Sequence, residues 1–289
     1  MPRKAAVIGA GRVGRSMLTS LVKSGYYPGA VISASTDSAK SLADALGCEI
    51  YGEDYSLIPE DTDLIVISVP DDKLETAIKN LDGHWKFATE TLVVHTSGLY
   101  ESDLMNPLSE KGAKIVSVHP AASFPDGKPL SFEGMRFGIE GKDSDEGVKL
   151  VNELGGIPFR IDSGKKSLYH AACTLASGYV NVLLDVSKDM MSDAGIEKPD
   201  DIVVTLAESA VKGWNDAGIS ALTGSIVRGD VDSVKKHLQA LKRNDTDHDI
   251  YRILAVKTVE KCVKAGIIDS EISRKIVRIL DEQISDGDF

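Results

Sequence analysis

Apolar and polar positions follow two different rhythms along this chain. In the first part, short apolar runs recur: AAVIG (5–9), AVISA (30–34), LIVISVP (64–70), TLVVHTS (91–97) and KIVSVHP (114–120). They are rich in Val and Ile and apolar at successive positions, the pattern of strands covered on both faces. Segments of helical period lie between them, as at 15–23 and 37–46. Such alternation predicts an α/β fold, a doubly wound parallel sheet of Rossmann type. A strand near 136–139, a helix near 143–154 and a strand near 159–161 complete that part. From Lys165 onward almost everything has helical period. One long helix is expected from Lys165 to about Asp193, then helices near 199–215, 231–241, 246–265 and 270–284. The change of rhythm puts a domain boundary at 162–165, giving an α/β domain over 1–162 and an all-helical domain over 163–289. The tail after Ser285 is expected to fray.

Charge and cysteine usage narrow the classes. A chain of 289 residues is comfortable for two domains. With 33 basic and 44 acidic residues the formal charge is −11, which argues against nucleic acid and against anionic membranes as partners. There is no run of about eighteen apolar residues that would read as a membrane span, and no leader pattern precedes the first strand. Cys48, Cys173 and Cys262 are far apart and form no CxxC pair. They read as reduced thiols of a cytoplasmic protein, and no His/Cys cluster at ligand spacing calls for a metal.

The first strand runs directly into Gly9, Gly11 and Gly14 and then a helix. A GxGxxG in that context is a dinucleotide fingerprint: the first glycine makes the turn, the second lets pyrophosphate approach, and the third lets helix and strand pack. Gly9, Gly11, Arg12, Val13 and Gly14 are therefore candidate cofactor contacts, and 1–162 the dinucleotide-binding domain. The end of the second strand reads SASTDSAK. Ser33, Ser35 and Thr36 come before the first acid, Asp37, with Lys40 nearby. Hydroxyls and a cation suit a 2′-phosphate, so the expectation is NADP rather than NAD. The same residues can also cap the next helix.

Ligands of open α/β sheets bind beyond the carboxyl ends of the strands. There stand Val69 and Pro70 with Asp71 and Asp72, then His95, Thr96 and Ser97, then His119 with Pro120 and Ser123. One histidine there would most simply be structural, but two at successive strand ends point to acid–base chemistry. On the long helix, Lys166, His170, Cys173, Ser177 and Asn181 fall on one polar stripe. Periodicity alone leaves open whether that face lines a cleft or meets solvent. In the loop ALTGSIVRGD (221–230), Asp230 or Asp232 can cap the following helix, and Arg228 is either a carboxylate anchor or an exposed loop residue.

SVHPAASF, LYHAACTLASGYV and ALTGSIVRGD together resemble the Rossmann-like oxidoreductases that carry the C-terminal domain of unknown function 2520. These belong to the 6-phosphogluconate and β-hydroxyacid dehydrogenase-like superfamily, whose helical domain often dimerises. The resemblance covers nearly the whole chain and implies a role for the helical part in substrate binding and homodimer formation. HP after the sixth strand is similar to that of prephenate dehydrogenases, which implies that His119 meets substrate and aligns Ser97 and Ser177 with their serines. Gly178 stands where those enzymes have a histidine. SVP ending the fourth strand resembles pyrroline-5-carboxylate reductases. Hydroxyacid dehydrogenases place a lysine and, one turn on, an asparagine on the long helix; here these positions hold Lys166 and His170.

The expectation is then an NADP-dependent oxidoreductase acting on a small anionic carbonyl or imine compound. His119, His170, Lys166 and Ser97 are the candidate catalytic residues, with Val69, Pro70 and Ser97 beside the nicotinamide and Ser177, Asn181 and Arg228 as substrate contacts. The rival is a dinucleotide-binding sensor or scaffold without turnover, since a fold alone does not specify chemistry.

Overall fold

Every apolar run of the first part becomes a strand in the computed structural model, which describes residues 2–88, 90–124, 128–242 and 244–282. The strands are β1 (Lys4–Ile8), β2 (Tyr27–Ile32), β3 (Tyr51–Gly52), β4 (Leu64–Ile67), β5 (Leu92–His95), β6 (Lys114–Pro120), β7 (Arg136–Glu140) and β8 (Ile157–Arg160). They form one sheet in the order β3-β2-β1-β4-β5-β6-β7-β8. The helices of this part are α1 (Arg12–Lys23), α2 (Thr36–Leu46), α3 (Asp71–Gly83), α4 (Asn106–Glu110), α5 (Ser144–Glu153) and α6 (Lys166–Ala176).

Each central strand buries both faces. Ala5 and Val7 of β1 pack with Met17, Leu18 and Leu21 of α1 on one side, while Ala6 and Ile8 pack with Leu74, Ile78 and Leu81 of α3 on the other. This two-sided burial is why the runs do not alternate, and it makes the sheet doubly wound as expected. The sheet is parallel except at one place: β7 runs antiparallel to β6, with His119 opposite Gly138. The connection from β6 to β7 contains no covering helix among its described residues, and a parallel return would need a crossover.

Two compact units divide the chain at residues 1–178 and 179–289. The shift to helical period comes at 162–165, and α6 belongs to the first unit. The single long helix expected from Lys165 to Asp193 is corrected. It breaks at Ser177 (φ −129°, ψ −72°), leaving α6 and α7 (Gly178–Asp193). Ser177 Oγ donates to the Cys173 carbonyl at 2.8 Å, and Gly178 follows it; back-bonding serines and glycines both weaken helix continuity. The second unit continues with α8 (Pro199–Ala217), α9 (Val231–Leu241), α10 (Asp245–Lys264) and α11 (Ser270–Glu282). Val234, Leu238, Val259, Cys262, Ile276 and Leu280 form its own core among α9, α10 and α11. The tail after Ser285 lies outside the described residues. No described helix is long and apolar enough to cross a membrane.

Candidate functional site

The glycine loop is built as its spacing predicts. Gly9 has φ +104°, and a Cβ there would run into the Ser68 backbone. A Cβ on Gly14 would collide with the Gly9 carbonyl. These two glycines let β1, α1 and the end of β4 close on one another. Gly11 differs: nothing lies within 4 Å of its Cβ position. It is also the N-cap of α1, where no side chain caps the helix and no acid stands in the first turn. The positive end of the helix dipole thus lies at Gly11 without an acidic side chain in the first turn, the setting an anion needs.

Two cavities meet over that loop. One, of about 420 Å³, is lined on the β2 side by Ser33, Glu53, Tyr55, Lys73 and Asn80. The other, of about 590 Å³, is lined by Arg12, Val13, Asp71, Ser97, His119 and His170, among others. Gly11, Ser68, Val69 and Pro70 line both. The residues fit a dinucleotide laid across Gly11, with one half in each cavity.

On the β2 side, Ser33 faces the cavity. Ser35 is the N-cap of α2, accepting from the Ser38 N–H at 3.3 Å. Thr36 Oγ1 donates to Glu53 at 2.7 Å. Glu53 was not singled out by the sequence, because it stands after β3, seventeen residues beyond Thr36.

On the other side, the two strand-end histidines have separate fates. His95 is fully buried. Its Nδ1 accepts from the Ser97 N–H at 3.3 Å, and its Nε2 lies 3.2 Å from the Glu101 carbonyl. Burial, with the nearby Lys166 charge, pushes its pKa down to about 3. It is a neutral structural residue at neutral pH. His119 reaches the cavity. Its ring meets His170 edge-on at 6.0 Å, and Nδ1 lies 2.8 Å from the Tyr169 hydroxyl. Burial, then Lys166 and His170, push its pKa down to about 4 against a smaller opposing pull from Asp71. Gly98 makes room for both rings: a Cβ there would lie 2.7 Å from His170 and 2.8 Å from Nε2 of His119.

Lys166 is fully buried beneath this wall. Its Nζ donates to the Ser97 carbonyl at 2.6 Å and to the Ser117 hydroxyl. Burial lowers its pKa to about 8, partly offset by Glu140, Asp71 and Glu101. Ser97 accepts from the Leu99 and Tyr100 N–H groups, each at 3.1 Å, so its oxygen shapes the turn after β5. Arg12 donates to the Phe124 carbonyl at 2.7 Å.

Among the predicted site residues, Gly11, Arg12, Val13, Val69, Pro70, Ser97, His119 and His170 are brought together around the larger cavity. The polar stripe is not one surface. Lys166 is buried, His170 faces the cavity, and Ser177 is exposed. Asn181 lines a small cleft between α7 and α8 in the second unit. Arg228 is exposed on its loop, and Asp230 next to it caps α9 through the Ser233 N–H at 3.0 Å. Tyr169 was missed by sequence reasoning. It reads as one more apolar helix position, and its only signal is adjacency to His170.

Residues 2–120 match the Rossmann-like domain family, and residues 135–258 match the domain of unknown function 2520. Among solved structures the chain is similar to a candidate NADP oxidoreductase from Bacteroides fragilis, with 19% identity over 89% of this chain and 98% of that one and a TM-score of 0.73. It is similar to protein TM1727 from Thermotoga maritima, with 22% identity over 96% and 99% and a TM-score of 0.68. A reductive aminase from Aspergillus terreus, in complex with NADPH and ethyl levulinate, shares 15% identity over 96% and 99% with a TM-score of 0.66. At these identities the likeness shows the fold. No curated protein matches the sequence.

Proposed function

Because this chain joins a Rossmann-like domain to the domain of unknown function 2520, we propose that it is an NADP(H)-dependent oxidoreductase of a small anionic carbonyl or imine compound. The observation that carries this reading is the pair of cavities meeting at Gly11, with His119 and His170 on the wall of the larger one. A bound reduced nicotinamide would supply hydride to the carbonyl or imine carbon. The NADPH complex of the Aspergillus terreus reductive aminase, which shares this fold, supports that cofactor class.

In this reading the open helix end at Gly11 holds the pyrophosphate, and Ser33 and Thr36 meet the ribose side. Val69 and Pro70 form the apolar support of the nicotinamide. His119 is neutral at pH 7, so it acts as a hydrogen-bond donor to the substrate oxygen or nitrogen rather than as a charged acid. His170, half-exposed on the same wall, is the proposed proton donor to the developing alkoxide or amine. Lys166, held under Ser97, contributes its positive charge through the wall without touching substrate. Arg228 is the proposed carboxylate anchor. Substitution of Arg228 by Ala is expected to raise KM for anionic substrates more than it lowers kcat.

The protein is further proposed to work as a homodimer. Tyr179, Val182, Val204, Leu206, Val211 and Trp214 stand exposed on α7 and α8, with Trp214 at 67%. Exposed apolar side chains in that number are normally covered by a partner, and a second copy of the same helices is the occupant proposed here. Sedimentation of the purified chain checks this, and a monomer at micromolar concentration would contradict it. The catalytic reading is tested by NADPH oxidation across keto acids and cyclic imines. Turnover with any of them that is lost in His119→Asn supports it. Tight NADPH binding without turnover across the panel would favour the sensor instead.

A further inference from the structure

We propose that Tyr169 is a positioning residue that locks His119 in the tautomer with its proton on Nε2, so that an N–H faces the larger cavity. The consequence for catalysis rests on the reductase reading above; the tautomer itself does not.

A neutral imidazole has one N–H, and the partner of one nitrogen decides where it sits. Nδ1 of His119 has the Tyr169 hydroxyl at 2.8 Å. The Cys173 thiol, one turn further along α6, is the other titratable group that acts on the same hydroxyl. The phenol has a single proton and two neighbours to choose from. An imidazole nitrogen is a strong acceptor and a thiol sulfur a weak one. The arrangement that gives the phenol proton to the stronger acceptor has the Tyr169 O–H donating to Nδ1, and Nε2 then carries the ring proton. The reverse would spend the phenol proton on sulfur.

The phenol is held for this role. Its ring packs edge-on against Phe159 at 5.8 Å and against His119 at 5.5 Å and 83°. Residue 138, opposite His119 across the β6–β7 pair, is glycine. A Cβ there would meet Ile161 at 2.6 Å and lie 3.2 Å from the Tyr169 hydroxyl, so glycine leaves room for both. The charged and titratable groups in the field of His119 are Lys166 and His170 from α6, Asp71 from α3 and His95 from β5. The first two oppose a positive imidazolium, which keeps the single-proton argument valid near neutral pH.

The test is a long-range ¹H–¹⁵N correlation spectrum of the full chain labelled with ¹⁵N-histidine. His119 is assigned by the signal lost in His119→Asn. The wild-type ring is expected as the Nε2–H form. In Tyr169→Phe it is expected to move to the Nδ1–H form or a mixture, with NADPH affinity within about twofold. Cys173→Ala, which leaves the phenol proton in place, is expected to keep the wild-type tautomer. An Nδ1–H ring in the wild type overturns the proposal and requires no variant to fold. An unchanged Nε2–H ring in Tyr169→Phe overturns it as well. Failure of the reductase reading shows separately, as absent NADPH binding or absent turnover. With turnover in hand, Tyr169→Phe should lower kcat by about tenfold or more while leaving KM nearly unchanged.

Discussion

Two histidine–tyrosine pairs in this protein have almost the same geometry. His119 and Tyr169 lie 2.8 Å apart from Nδ1 to hydroxyl, with ring planes at 83°. His237 on α9 and Tyr251 on α10 lie 2.8 Å apart, with ring planes at 84°. Their surroundings differ. His119 stands on the wall of a cavity of about 590 Å³ with a second histidine, a carboxylate and a buried lysine in its field. His237 is exposed, and the pair ties α9 to α10 at the surface. A hydrogen bond competing with water fixes little, whereas the same bond in a partly desolvated cavity sets where a proton sits. In the proposed reading the pair serves chemistry in one place and packing in the other, and the environment makes the difference.

The largest expected effect separates the two directly. His119→Asn should cut turnover by roughly 10²–10⁴-fold while His237→Asn leaves it near wild type, both read as kcat/KM. Equal losses would end the distinction. Next comes the loop that feeds the cavity. Gly11→Ala adds a methyl into open space, so the protein should fold normally yet bind NADPH at least about tenfold more weakly, because the pyrophosphate needs that space. Gly14→Ala should instead impair folding, because its Cβ meets the Gly9 carbonyl. Thermal melts and fluorescence titrations of the two variants distinguish a ligand glycine from a packing glycine.

Charge sharpens the comparison further. Lys166→Met should raise the pKa of His119 from about 4 towards the ordinary histidine value, since Lys166 opposes its protonation, and leave the His237 signals in place. Histidine NMR titration measures both. Stability should follow the same groups. His95 and His119 are held at about 3 and about 4, below the ordinary 6.5, so between those values the unfolded chain binds more protons. Their contribution is fully present above pH 6.5 and is lost as pH falls through the folded values. Urea midpoints at pH 7.5 and pH 5 should therefore differ, and less so in His119→Asn. The smallest effect lies at the other cavity. Glu53→Gln removes a carboxylate beside Thr36 and should shift selectivity from NADH towards NADPH by a few fold, because a 2′-phosphate is repelled by a nearby acid.

Much of this was legible in the chain. Strands buried on both faces are apolar at successive positions, so β1, β4 and β5 show as apolar runs, and the glycine loop reports backbone contacts that only glycine permits. The antiparallel β7 was not legible, because a strand's direction depends on how its connection travels and not on its own residues. His95 and His119 look alike in sequence, each ending an apolar run. Only the fold shows one buried under its neighbours and the other on a cavity wall. The polar stripe failed for a local reason: Ser177 turns its hydroxyl on the Cys173 carbonyl and the helix ends there. Tyr169 stayed hidden because its partner is fifty residues away in the chain and meets it only when α6 packs beside β6.

The central claim is that the cleft crossing Gly11 is a site for NADP(H). The most direct measurement is a fluorescence titration of the purified chain with NADPH and with NADH, repeated on Gly11→Ala. The account predicts saturable NADPH binding, weaker NADH binding, and loss of NADPH affinity in a variant that melts like the wild type. Absence of binding to either nucleotide, or equal binding by wild type and Gly11→Ala, would contradict it.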